Sequence, residues 1–270
     1  MKKFFTLYVV SLLAVFVGLS TARAATIAHW TFEDGIPGTP ATVVTDSVGG
    51  NDGVAINGPL YVSGAVSNFG TTGLSFNGTN QTIFVDSTSG GDLELTGDFT
   101  IEVGVITGSV ITGSLPIFMG DPQPAKDPYY IVLNPDGSLI FHLYTGTGGA
   151  FDLSTVAGVV STNSSHNIAT VFDFDDVNNT DNFMRIFVDQ TEVASLNIGS
   201  NQPYYGDTDS DLWIGSVENQ FAFFNGTITD IRISNVALTG DQMFQVPEPG
   251  TLAVFGLGLL GLGLSRRRSA

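Results

Sequence analysis

Tyr129-Tyr130-Ile131-Val132-Leu133-Asn134-Pro135-Asp136-Gly137-Ser138-Leu139-Ile140-Phe141-His142-Leu143-Tyr144 is the stretch that sets the fold class. Two runs of aromatic and aliphatic residues flank Asn134-Pro135-Asp136-Gly137. Proline there fixes φ at the second turn position, and glycine accepts the positive φ that closes the turn. The pattern predicts an antiparallel hairpin with strands at Tyr129 to Leu133 and Leu139 to Tyr144. Alternate strand residues share a face, so His142 and Tyr144 fall on one side and Phe141 and Leu143 on the other.

Working outward, similar runs rich in Val, Ile, Phe and Thr recur between clusters of Gly, Asn, Asp and Pro. They predict strands at Thr26 to Phe32, Gly73 to Asn77, Thr82 to Asp86, Phe99 to Ile106, Asn167 to Phe174, Phe183 to Asp189, Glu192 to Asn197, Asp211 to Gly215 and Phe224 to Ser234. Asp189-Gln190-Thr191 marks a second hairpin, and a short turn around Thr239 to Phe244 is the one helix-like candidate. Trp30 and Trp213 sit within strands and are expected in the core. The reading is all-β, an antiparallel sandwich formed by one domain over 25–246, without an internal linker. With Cys 0, neither a disulfide framework nor a cysteine zinc site is available, so burial must hold the fold.

Charge is unevenly placed. The chain carries a formal net charge of -17, and its basic residues crowd into the ends: Lys2, Lys3, Arg23, Arg266, Arg267 and Arg268. All but one of the 26 acidic residues lie between 25 and 246, against Lys126, Arg185 and Arg232. A phosphate-tracking groove needs clustered Lys and Arg, so nucleic acid is excluded as a partner. Residues 1–24 combine a basic start, an apolar run from Leu7 to Leu19 and the small-x-small Ala22-Arg23-Ala24, which together predict a signal peptide cut by signal peptidase.

At the other end, over 247–270, Val246-Pro247-Glu248-Pro249 precedes an apolar, glycine-rich stretch from Thr251 to Leu264 and then Arg266, Arg267 and Arg268. This resembles the PEP-CTERM sorting signal of exopolysaccharide-producing Gram-negative bacteria. The resemblance implies transient retention in the inner membrane and cutting near Pro247, Glu248 and Pro249 by an exosortase-type membrane protease. Delivery to the cell surface or extracellular matrix follows. The alternative is a simple C-terminal anchor, but the stretch is only about 21 Å long as a helix, thin for a permanent span.

Within the body, His29-Trp30-Thr31-Phe32-Glu33-Asp34, Asp46-Ser47, Asn51-Asp52-Gly53 and Leu74-Ser75-Phe76-Asn77-Gly78 are similar to the opening of laminin G-like, concanavalin A-like domains. Asp98-Phe99-Thr100-Ile101-Glu102, Ile186-Phe187-Val188-Asp189, Ile214-Gly215 and Phe224 to Ile233 follow in that family's order. The resemblance implies a jelly-roll sandwich. Gly104 stands where the family often has tryptophan, and Gln190 where its hairpin usually has glycine.

That fold hosts glycoside hydrolases and polysaccharide lyases, whose catalytic residues follow recognisable patterns. Paired strand carboxylates as Glu-x-Asp-x-Glu are absent, since no glutamate has aspartate two residues on. His29, His142 and His166 are the only histidines for a lyase; His29 reads as packing, His142 could face a groove with Tyr144, and His166 reads as a solvated loop residue. No Gly-x-Ser-x-Gly elbow or phosphate loop is found. The resemblance instead implies structural calcium, tying the loop after the first strand to the last strand. Carried over by position, its ligands would be Glu33 or Asp34 and Asp230, with Asp46 and Asn51 added. For glycans, which stack on flat rings, the loop aromatics Tyr129, Tyr130, Tyr204, Tyr205 and Phe221 are the candidates. The expected function is non-enzymatic binding or organisation of extracellular polysaccharide. A purely structural matrix protein and a polysaccharide hydrolase or lyase are the rivals.

Overall fold

Alternation becomes pleat in a computed structural model of the chain, which describes residues 26–64, 70–86, 91–112, 114–120, 127–146, 149–174, 180–203 and 210–244. Its strands are β1 (Thr26–Trp30), β2 (Val43–Val44), β3 (Gly53–Ile56), β4 (Leu60–Ser63), β5 (Thr72–Asn77), β6 (Thr82–Val85), β7 (Phe99–Thr107) and β8 (Ser114–Gly120). There follow β9 (Tyr129–Leu133), β10 (Leu139–Tyr144), β11 (Ala150–Ser154), β12 (Ser165–Asp173), β13 (Asn182–Val188), β14 (Thr191–Gly199), β15 (Asp211–Ile214) and β16 (Asn225–Ser234). Among the described residues there is no helix, and 239–244 is a turn. The signal-peptide and sorting segments lie outside the described residues.

Two antiparallel eight-stranded sheets face each other. The first runs β14-β13-β12-β7-β16-β5-β4, with β1 also paired to β16; the second runs β11-β10-β9-β8-β15-β6-β3-β2. This is the expected all-β sandwich. The deciding hairpin forms with its predicted ends: Gly137 donates to the Asn134 carbonyl at 2.9 Å and adopts φ 76. In the β13–β14 turn, Asp189 and Gln190 both take positive φ, 50 and 68, the geometry a two-residue hairpin loop needs even without glycine. Five strands were not predicted. The most consequential, β8, carries Pro116, a residue that argues against a central strand; a register shift between Ser114 and Ile117 accommodates it.

Between the sheets, Phe99 of the first sheet meets Tyr129 and Phe141 of the second at ring distances of 6.0 and 6.2 Å, and Phe172 of its own sheet at 5.8 Å. All four are fully buried. Trp30 is also in the core, with its indole N–H donating to the Asn51 carbonyl at 2.9 Å.

The outer face of the first sheet is closed by residues 235–244. Val236, Leu238, Met243 and Phe244 pack on Ala169, Val171 and Phe187. Beneath them β1, β16 and β7 align His29, Arg232 and Glu102 in one register row. Arg232 grips Glu102 through two bonds, Nε to Oε2 at 2.5 Å and Nη2 to Oε1 at 2.7 Å, and Phe244 N–H donates to the same carboxylate. Thr100 Oγ1 completes the seal, accepting from Leu238 N and donating to the Val236 carbonyl. Gly104 belongs here too. A Cβ at this position would run into Thr229 Oγ1 and Asp230, so a tryptophan here, as the resembled family often has, would find no room.

Candidate functional site

The outer face of the second sheet is built differently. Direct cross-strand pairing aligns Val43, Val54, Phe84, Trp213, Phe118, Tyr130, His142 and Asp152, one residue from each of the eight strands. Their chain neighbours Val44, Ile83, Val85, Leu212, Ile214, Ile131, Phe141 and Leu153 are buried in the core. With a period of two, Val43, Val54, Phe84, Trp213, Tyr130, His142 and Asp152 face away from that core, and β8 contributes the register position of Phe118. Val43 and Val54 are half exposed at one end, Asp152 is exposed at the other, and Phe84, Trp213 and Tyr130 are partly exposed between them.

Ring geometry divides the line in two. Phe84 and Trp213 lie 4.8 Å apart with planes tilted by 51°, so neither covers the other's face completely. Tyr130 and His142 stack at 4.1 Å with planes within 4° and stand as a paired slab off the sheet. Asp152 accepts from His142 Nδ1 at 2.6 Å, since a carboxylate only accepts, and this bond orients the ring. Burial, aided by the negative charges of Asp152 and Asp127, pushes the Tyr130 phenol up to about 12. Tyr130 therefore keeps its proton.

A loop walls this face. Val217 and Phe221 bridge, and Val217 and Ala222 pack with Trp213, Tyr130 and Val132. Glu218, Asn219 and Ala222 all hold positive φ, 48, 55 and 53, a strained set for non-glycine residues. Ser216 Oγ anchors the loop, accepting from Asn219 N–H and donating to Thr82 Oγ1, which donates to the Ile214 carbonyl. Phe221 is 60% exposed at its tip.

Of the aromatics named from sequence, Tyr130 and Phe221 come to this face. Tyr129 does not: it is 0% exposed, its hydroxyl donates to the Leu93 carbonyl, and its ring fills the core, because its strand alternation turns it inward. Tyr204 and Tyr205 lie outside the described residues. Trp213 corrects the opposite expectation, as it is on the outer face and not in the core. Phe84 was missed, and His142 shares the face with Tyr144 as its alternation indicated.

The expected calcium donors do not assemble. Asp46 uses both oxygens on N–H groups: Oδ1 accepts from His29 and Val48, Oδ2 from Gly49 and from both the backbone and side chain of Asn51. Burial pushes its pKa upward, but these bonds outweigh it and hold the carboxyl below its ordinary value. Glu33 accepts from Thr71 and Thr72 N–H at 2.5 and 2.7 Å, Asp34 from Thr45 N–H and the Tyr61 hydroxyl, and buried Asp230 from Thr229 Oγ1. Among the described residues no three acidic or histidine side chains form a metal-holding group. Asp46 and Glu33 thus sit in donor-rich surroundings suited to an anion, and this set does not fit a calcium ion.

His166 is not a solvated loop residue. Its Nδ1 contacts Asp189 Oδ2 at 2.9 Å and its Nε2 contacts Ser161 Oγ at 2.9 Å, the order of a nucleophile, base and orienting acid. Nε2 also accepts Ser161's own N–H at 3.1 Å, however, and Asp189 Oδ1 accepts from Asn167 N–H. The imidazole thereby caps the turn before β12 and ties it to the β13–β14 turn, with Ser161 exposed to water.

Sequence comparison matches residues 77–243 to the concanavalin A-like lectin/glucanases superfamily, more than half of the chain. The chain belongs to this superfamily. Residues 245–268 match the PEP-CTERM protein-sorting motif, which marks the concanavalin A-like domain for export by the sorting system of Gram-negative bacteria. No curated protein matches it in sequence. Among solved structures it resembles domain 4 of AbnA, an extracellular arabinanase from Geobacillus stearothermophilus solved with arabinotriose. The TM-score is 0.56 at 18% identity, covering 81% of this chain and 96% of that one. It also resembles the receptor binding domain of botulinum neurotoxin mosaic serotype C/D, with TM-score 0.56 at 9% identity over 82% of this chain and 49% of that one. The type G receptor binding domain gives 0.52 at 12% identity, over 81% and 50%. At these identities the likeness is one of fold.

Proposed function

We propose that this concanavalin A-like domain is an exported, non-enzymatic polysaccharide-binding protein of the bacterial surface or matrix, and that it binds with the outer face of its second sheet. The observation that carries this reading is the transverse line of partly exposed Phe84, Trp213 and Tyr130, with nearly buried His142 stacked against Tyr130. Aromatic surface kept out of the core costs hydrophobic burial, and sugars match it with apolar C–H faces alternating with hydroxyls. The arabinotriose complex of AbnA domain 4 supports a sugar ligand for a domain of this fold. Signal peptidase and an exosortase-type protease would act on the ends, releasing the body outward.

Affinity electrophoresis of the purified protein in gels containing soluble polysaccharides tests the reading. Retardation by at least one polysaccharide is expected, with Trp213→Ala and Tyr130→Ala each weakening it about tenfold, as loss of a stacked ring does, while circular dichroism is unchanged. Release of reducing ends by the purified protein would overturn the non-enzymatic part of the proposal.

A further inference from the structure

The line's direction, length and charge together describe its ligand. Aromatic positions run across the strands, from Phe84 on β6 through Trp213 on β15 and the register position of Phe118 on β8 to Tyr130 on β9 and His142 on β10. Along the strands the pattern thins: Val132 follows Tyr130 on the same face and Asp211 precedes Trp213, and Tyr144 after His142 extends it on β10. Four strand intervals cover roughly 19 Å at about 4.8 Å each. That interval is close to the rise of one sugar ring in an extended chain. Both ends of the line are open, with exposed Val54 at one and exposed Asp152 at the other, so an extended chain can run across this face and past both ends.

Charge narrows the class. Asp152 ends the line, Asp127 is near enough to act on Tyr130, Asp211 begins β15 and Glu218 is in the flanking loop. Of the body's three cations, Arg185 is on β13 of the first sheet, bound to Asp173 at 3.0 Å, and Arg232 is buried against Glu102. Lys126 lies outside the described residues, between Asp121 and Asp127 in sequence. A uronate or sulfated chain would bring its charges against fixed carboxylates, with no arginine on this face among the described residues to receive them.

Resting on the reading above, we infer that the ligand is the interior of an extended, uncharged polysaccharide, lying across the strands of the second sheet with about one sugar per strand from β6 to β10. The flanking loop with Phe221 forms the side wall, and the stacked pair of Tyr130 and His142 carries polar ring atoms beside the aromatic surface.

Isothermal titration of the purified protein with cello-oligosaccharides of two to six units, soluble β-glucan, β-mannan and polygalacturonate tests this. Affinity should climb with length by more than tenfold from the disaccharide to the pentasaccharide and then level off. At low salt polygalacturonate should bind at least tenfold more weakly than a neutral polymer, and added salt should narrow that gap while leaving neutral binding nearly unchanged. Equal affinity for disaccharide and hexasaccharide, or polygalacturonate binding as tightly as the neutral chains through Trp213, would overturn the inference while leaving a glycan-binding face in place. No binding to any of these or other polysaccharides would overturn both.

Discussion

Glu102 and Arg232 show how a single pair can anchor a whole sheet face. Both are almost wholly buried and directly opposite in register, and the carboxylate also receives Phe244 N–H. Removing one charge strands the other where water cannot reach it, which costs about 3–5 kcal/mol. Glu102→Gln should therefore lower the melting temperature by roughly 10 °C, read by calorimetry, and Arg232→Met should do likewise. His29, third in that row, has its pKa lowered to about 4 by burial, then by the positive charge of Arg232, against the opposing pull of Asp46. The unfolded chain takes up this proton near the ordinary 6.5 and the folded one only near 4, so stability is full above 6.5 and falls as pH drops through that window. The loss from this group is on the order of 3 kcal/mol. His29→Gln should flatten the decline in melting temperature between pH 7 and 4; an unchanged slope would mean that other groups cause it. The pair itself was invisible in sequence. Glu102 was recognised only as part of a strand, because nothing in a lone glutamate and a distant arginine says that their strands are neighbours.

At the scale of elements, the hairpin of β9 and β10 was legible because proline, aspartate and glycine each have a turn position to fill. Gly137 has φ 76, and a Cβ there would collide with the Val160 carbonyl. Gly137→Ala should cost more than about 1 kcal/mol in denaturant midpoint, whereas Ala at exposed Gly97, with open space around it, should cost less than half of that. β8 was hidden by its proline, and β2, β3 and β4 are too short to carry a clear alternation. The aromatic line was hidden for a different reason. Its strands follow the order β6, β15, β8, β9 and β10, so residues as distant as Phe84, Trp213 and Tyr130 meet only when the jelly roll closes. Leu212-Trp213-Ile214 is apolar throughout, and alternation in such a run says that faces differ without saying which is wet. Tyr129 and Tyr130 illustrate the same limit: adjacent tyrosines, one core and one surface. The closing segment 235–244 depends on Thr100, and Thr100→Val should leave the buried Leu238 N–H without its acceptor, for a loss of about 1–3 kcal/mol.

For the whole molecule, the two sheets share one continuous core that includes residues from both, so the body should melt in a single cooperative transition. The donor-saturated Asp46 and Glu33 further predict that chelator and added calcium leave the melting temperature unchanged, against the expectation drawn from family resemblance. A rise of several degrees with calcium would place an ion that these side chains do not explain. The negative body and its basic extremities were readable directly from composition, and so was export, since the sorting motif is a contiguous stretch. The proposed binding face was not, because the aromatic line exists only as a product of topology.

The central claim, that the outer face of the second sheet binds polysaccharide, is tested most directly by tryptophan fluorescence. The chain has Trp 2, and Trp30 is fully buried with its indole bonded to Asn51, so a ligand-induced change reports on Trp213. Titration with a soluble neutral polysaccharide should give a saturable shift in emission that Trp213→Ala lacks, together with loss of retention by the same polymer. Undiminished retention of the Trp213→Ala variant, with no change in emission of the unaltered protein, would contradict the account.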